Sequence, residues 1–308
     1  MIRFEQKKSR NTTYYYLTER VWIGCKYKKI QVFVGKSVPN DTTQFYTALK
    51  EKEIALIPKV NKDPTSELLP AHYQHIALAQ LNWKYFIAQL STVKYQKTIN
   101  HFAISFIYES NAIEGSRLSQ KEVAAIVLKQ YVKKSLPRHE VREAENAVLA
   151  FNHIQSHDFK ISQKNIKQLH EIVISGLDIP TGFKTEAIVV NNKQTTGPKN
   201  VKAELNMLFS WYKQTKRILH PLERALIFHN RFEHIHPFTD GNGRVGRLIL
   251  NWMLLQDGYG VILFKNRNRV AYFNALDKGD GGRYRNLLTL ASETYVNTIS
   301  ELIKQRVI

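Results

Sequence analysis

Cysteine occurs once in 308 residues, at Cys25, so the chain can form no internal disulfide and offers no cysteine zinc site. Long apolar runs are missing as well; none approaches the roughly 20 residues needed to cross a bilayer. No apolar segment follows the basic residues 1–8, which argues against a signal peptide and makes the cytoplasm the expected location. There is no Gly-x4-Gly-Lys-(Ser/Thr) loop, no internal repeat and no low-complexity tract. Acidic residues are the scarce charge: 26 Asp and Glu stand against 45 Lys and Arg, a formal net charge of +19. Such a field attracts polyanions. The lysines are spread along the chain without a base-reading motif, so nucleic-acid binding is expected to be weak, salt-sensitive and sequence-independent.

What is present describes a soluble globular chain, with 43% hydrophobic and 23% charged residues. Residues 12–18 and 29–34 are rich in β-branched and aromatic side chains and predict two strands, with residues 23–28 supplying the turn. Val38-Pro-Asn-Asp-Thr-Thr43 then breaks the chain, and helical periodicity dominates from about Thr42. Ser119-Gln-Lys-Glu122 is a capping box. Val141, Ala144, Val148 and Phe151 mark one amphipathic helix, and Ile166, Leu169, Ile172 and Val173 another. Residues 182–192 interrupt this pattern, with a strand-like Ala187-Ile-Val-Val190 bounded by Gly182 and by Asn191-Asn192. Helices are expected again at 201–216, 221–234, 243–255, 270–277 and 285–304, Pro221 opening one of them. The fold class is therefore mainly α. It divides into a β-rich module (1–40), a helical connecting region (41–101) and a large helical domain (102–308).

The segment His236-Pro-Phe-Thr-Asp-Gly-Asn-Gly-Arg-Val-Gly-Arg247 joins two of these helices through a glycine-containing turn. Pro237 opposes helical geometry at His236. A turn of this kind feeding a helix points several N–H groups outward at the positive end of the dipole, which suits phosphate oxygens. Gly241, Asn242 and Gly243 would line that cradle. Arg244 and Arg247, three residues apart on one side, would add charge-assisted contacts to neighbouring phosphates. Asp240 offers a hard oxygen for Mg²⁺, and His236 titrates near neutrality and could take a proton from an incoming hydroxyl.

At every specified position this segment resembles the Fic motif, His-x-Phe-x-(Asp/Glu)-Gly-Asn-Gly-Arg-x-x-Arg. The order of helices from roughly 102 to 298 is similar as well, covering about two thirds of the chain. The resemblance implies a Fic-type helical bundle with a β-hairpin flap, and transfer of AMP from ATP to Ser, Thr or Tyr hydroxyls of target proteins with release of pyrophosphate. It assigns proton abstraction to His236 and Mg²⁺ to Asp240. It places Asn242 and the glycine amides on the α-phosphate and Arg247 on the γ-phosphate. Residues 181–190 look like the flap that clamps a target peptide by strand addition, with Thr185, Glu186, Ala187, Ile188 and Val189 as its docking edge. Ser110-Asn-Ala-Ile-Glu114-Gly115 is similar to the family's inhibitory motif (Ser/Thr)-x-x-x-Glu-(Gly/Asn), in which the glutamate pairs with the second arginine, here Arg247.

Tyr272, in Ala271-Tyr-Phe-Asn-Ala-Leu276, is the candidate border of the adenine pocket, although the stretch after it is shorter than in many family members. His229, His234 and His236 are spaced by five and two, which does not match the i, i+4 pairs of helical zinc sites. Self-modification and a homodimer are compatible with this reading, and no membrane partner is expected. Three alternatives stay open: removal of AMP, transfer from another phosphate-containing donor, and a basic nucleic-acid-associated protein with a regulatory Fic core. Phosphate transfer from ATP, as in the Doc branch, is disfavoured by the intact Gly-Asn-Gly-Arg.

Overall fold

A computed structural model describes residues 2–23, 26–57, 66–155, 159–190 and 192–305. Three strands open the chain, β1 (Arg3–Ser9), β2 (Thr12–Ile23) and β3 (Lys26–Gly35), in an antiparallel sheet of order β1-β2-β3. β1 is an addition to the two expected strands. Its sequence, Arg-Phe-Glu-Gln-Lys-Lys-Ser, holds one apolar residue, so alternation had nothing to register. Gly24 and Cys25 of the expected turn lie outside the described residues, as does Asn191.

One sheet face is apolar. Leu17 and Ile30 pack there against Leu49 of α1 (Thr43–Ile54) and against Leu81 and Tyr85 of α2 (Pro70–Ile87). This cluster is separate from the main core, so the sheet is stabilised by docking on two helices rather than by its own hairpins. A buried carboxylate fixes the joint. Glu53 accepts from Lys84 Nζ at 2.8 Å and from the Tyr85 hydroxyl at 2.8 Å, and Lys84 also reaches Glu19 at 3.4 Å. The charges are thus paired and hydrogen-bonded, the condition for burying them without a large desolvation loss.

The second, larger core is helical. It comprises Ile76, Ala79 and Trp83 of α2 together with α3 (Thr92–Ile113), α4 (Gln120–Val127), α5 (Arg138–Ile154), α6 (Gln163–Val173), α7 (Val201–Gln214), α8 (Pro221–Ile235), α9 (Asn242–Gln256), α10 (Arg269–Asp280) and α11 (Arg285–Lys304). Between α6 and α7 lies a short hairpin, β4 (Val189–Val190) with β5 (Lys193–Gln194). It is shorter than the four-residue strand expected at 187–190. The Ser119–Glu122 capping box is formed reciprocally at the start of α4. α8 and α9 run through the centre and are buried on nearly every side. A continuous α3 crosses the division expected between residues 101 and 102.

Gly260 marks where α2 and α11 close on the loop after α9. A methyl group there would lie 2.3 Å from Ile299 Cδ1 and 3.0 Å from Trp83 Cγ. Gly260→Ala is therefore expected to destabilise the protein by about 1–3 kcal/mol through overpacking. The urea midpoint reads this directly; an unchanged midpoint would mean that the two helices can separate without loss.

Candidate active site

His236 caps α8 in the left-handed region (φ 48°, ψ 62°), its N–H donating to the Phe232 carbonyl at 3.0 Å. A non-glycine residue there is uncommon, and Pro237 immediately after it prevents helical continuation. The imidazole is half-buried. Burial, reinforced by the nearby Lys184 ammonium, pushes it down to about 4. At neutral pH it is therefore uncharged and able to accept a proton.

The turn after His236 is held by contacts that its sequence does not announce. Asn242 Oδ1 accepts from the Phe238 N–H and its Nδ2 donates to the Phe238 carbonyl, both at 2.9 Å. The Phe238 ring is fully buried and stacks on His170, with centroids 3.7 Å apart and planes 3° apart. His170 Nε2 donates to the Asp240 carbonyl at 2.9 Å. Gly241 takes φ 79°, the left-handed turn that admits the chain to α9 and that suits glycine. The Asn242 side chain thus braces the turn. The amides at the start of α9 remain as the anion-facing groups.

The two arginines diverge, although three-residue spacing puts them on one side of the helix. Arg244 is buried and bonded to Glu143 of α5 at 2.8 Å, with the Asp240 carboxylate 3.6 Å away. Arg247 turns towards the end of α3. Its Nε donates to Ser110 Oγ at 3.0 Å, and its Nη2 to the Ser110 carbonyl at 2.9 Å and to Glu114 Oε1 at 2.7 Å. Burial alone would push the Arg247 guanidinium down, but the Glu114 charge holds it above the ordinary arginine range. Glu114 caps α3, and Gly115 follows at φ +108°. The Glu114 carboxylate lies so close to the first turn of α9 that a Cβ on Gly243 would sit 2.2 Å from Oε1. A negative group thus already occupies the helix's positive end, next to Arg247. Asp240 is different: its side chain is 60% exposed and faces outward beside the turn.

Tyr272, the candidate border of the adenine pocket, is in the core, 1% exposed. From α10 it packs against Phe264 with centroids 4.6 Å apart, and its hydroxyl bonds to His229 Nε2 at 2.5 Å. Burial pushes His229 down to about 3 and Glu233, 3.8 Å from it, up to about 8. His229 and His234 lie on α8 itself, and no group of three His, Cys, Asp or Glu with metal-binding geometry occurs among the described residues.

The expected flap residues Thr185, Glu186, Ala187 and Val189 are exposed, and Ile188 is half-buried. Only Val189 belongs to the ladder. Their anchor is Lys184, which the sequence reading passed over. Its N–H donates to the Pro237 carbonyl at 2.9 Å, and its Nζ donates to Thr195 Oγ1 at 2.6 Å and to the Ile235 carbonyl at 3.2 Å. Thr195 Oγ1 in turn donates to the Ile188 carbonyl at 2.7 Å. Burial pushes Lys184 down to about 8. Nothing in its sequence neighbours, Phe183 and Thr185, marks it as buried. Glu143 and His170 likewise carried no signal, being polar residues at ordinary helical positions.

Residues 160–254 match the Fic/DOC family. That interval holds Lys184, the flap and the whole of 236–247, while Ser110, Glu114 and Tyr272 lie outside it. Protein adenylyltransferase Fic of Aedes aegypti is 28% identical over 204 residues, covering 64% of this chain and 41% of the relative. Its namesake in Nematostella vectensis is 27% identical over 224 residues, covering 70% and 52%. The chain thus spans about half the length, or less, of these curated relatives. Among solved structures, a Fic domain containing signaling protein from Bacteroides thetaiotaomicron superposes with a TM-score of 0.69 at 21% identity, over 75% of this chain and 96% of that one. Fic-1 of Caenorhabditis elegans gives 0.68 at 20%, over 86% and 78%. The stretch that matches the Fic/DOC family thus sits within a fold shared with the solved Fic proteins.

Proposed function

We propose that this chain is a protein adenylyltransferase held in check by Glu114. The observation that carries the reading is the pairing of two features across one turn. One is a histidine held neutral at the end of α8; the other is a helix start whose amides converge with a buried arginine. In the reaction a hydroxyl oxygen of the target attacks the α-phosphorus of ATP. An O–P bond forms, the bond between the α- and β-phosphates breaks, pyrophosphate leaves, and the hydroxyl proton passes to His236. The α9 amides stabilise the negative charge that develops on the α-phosphate. Arg247 seats the γ-phosphate once Glu114 releases it, because both anions need the same guanidinium fork.

Asp240, a single exposed carboxylate beside the phosphate site, fits the sparse carboxylate ligation that Mg²⁺ prefers. When bound there, the ion would neutralise phosphate charge. The flap residues 185–189 offer backbone to an extended target segment. Without a target, the protein's own hydroxyls are the substrate. Incubation with ATP labelled at the α- or the γ-phosphate tests the reading: label from the α position alone is expected on protein. Label from the γ position would establish phosphate transfer, and no label from either would remove the assignment.

The environment of His236 adds a pH dependence. A base pushed down to about 4 stays unprotonated across neutral and mildly acidic solution, so labelling should fall only as pH drops towards that value. Lys184→Met removes the like charge and lets the His236 value rise towards its ordinary one. The acid limb should then move to higher pH, whereas Lys184→Arg should leave it in place. If Lys184→Met lowers the rate with an unmoved acid limb, Lys184 only packs the flap.

A further inference from the structure

The sheet face turned away from α1 and α2 carries a cluster of aromatic side chains. Alternation sends Leu17 and Ile30 into the small core and places Tyr14, Tyr16 and Phe33 together on the opposite face. Register sets Tyr16 opposite Phe33 and Tyr14 opposite Lys7. The rings touch: Phe33 is 5.9 Å from Tyr14 and 5.4 Å from Tyr16, centroid to centroid. Phe33 is nevertheless 54% exposed. Basic groups surround them. Lys7 Nζ sits 4.5 Å above the Tyr16 ring and bonds to Gln31 at 2.9 Å, and Arg20 and Lys29 face each other across β2 and β3. The acidic residue on this face is Glu5, which is shared between Arg3 and Lys29.

We propose that this face binds a single-stranded polynucleotide, its bases stacking on Tyr14, Tyr16 and Phe33 and its phosphates paired with Lys7, Arg20 and Lys29. Contiguous π surfaces on a sheet, flanked by cations, are what unpaired bases and their backbone need together. A second copy of the chain would bring the same positive charge against this face. An acidic protein would meet the cations and leave the rings without stacking partners. A duplex would keep its bases stacked and out of reach. Because each base presents a π-face, the contact is tolerant of sequence. The proposal is independent of the chemistry at His236.

The test is fluorescence anisotropy of the full chain with fluorescein-labelled rU12, dT12 and a 12-base-pair RNA duplex, titrated between about 50 and 200 mM KCl. Either single strand is expected to bind more tightly than the duplex, and the ratio of the rU12 and dT12 affinities tells RNA from DNA. The log–log salt slope should be near −2, for about three neutralised phosphates. Tyr16→Ala with Phe33→Ala should weaken binding by at least about tenfold. Lys7→Gln with Arg20→Gln should flatten the salt slope while leaving the rings in place. Thermal melts and α-labelling of the same preparations establish that the variants are folded. Failure of both single strands to bind at low salt, tighter binding of the duplex, or undiminished binding by the folded Tyr16/Phe33 variant would overturn the proposal.

Discussion

His236→Ala is expected to lower AMP incorporation by about 10²–10⁴-fold, the range that a positioned general base contributes. ATP binding should be nearly unchanged. The α9 amides and Arg247 are held by the Asn242 brace and by Ser110, neither of which depends on the imidazole. Quantitative α-label incorporation, with ATP affinity measured by calorimetry on the same protein, separates the two effects. Undiminished incorporation would mean that the proton leaves by another route, and the proposed mechanism would fail.

The opposite sign is expected at Glu114. Its carboxylate sits between Arg247 and the first turn of α9, where the phosphates must come. In the proposed reading ATP still binds beside it, with the γ-phosphate deprived of its arginine and the α-phosphate displaced from in-line attack. Misplacement by about 1 Å costs roughly a hundredfold, so Glu114→Gly should raise labelling by up to about that factor. Arg247→Ala should lower it, since the phosphate ligand goes with the inhibitory partner. The double variant should stay well below Glu114→Gly, because the γ-phosphate ligand is gone, and no lower than Arg247→Ala, because losing the carboxylate still clears the first turn of α9. Comparison of all four proteins with Mg²⁺ and α-labelled ATP checks this; equal labelling by wild type and Glu114→Gly would reduce the Ser110–Gly115 segment to a helix end.

Much of the architecture was written in periodicity. The helices of the second half were predicted within a few residues, because their apolar stripes repeat and Pro221 marks a start. β1 was hidden because Phe4 alone carries its apolar pattern. At the site, the sequence placed His236, Asp240 and the glycine turn on consecutive elements because they are local in the chain. What it could not supply was direction across the fold. Arg244 and Arg247 share a helical side in sequence, yet they pair with α5 and α3, 101 and 133–137 residues away. Tyr272 likewise goes to His229, 43 residues distant. Asn242 is a different case: its side-chain brace on Phe238 spans only four residues, yet no pattern in the sequence announces it.

The unbroken course of α3 has a mechanical consequence for Glu114. Twenty-two residues at about 1.5 Å each make a rod roughly 33 Å long, with Glu114 at its tip. The turn just before it, Ser110, Asn111, Ala112 and Ile113, is wholly buried, so it cannot fray cheaply into solvent. On the α3 side, release of Arg247 can then come by rotation of the Glu114 side chain or by a shift of the rod as a whole. Amide exchange tells them apart, since rotation leaves the protection of residues 110–113 untouched, while travel of the rod loosens its packing along its full length.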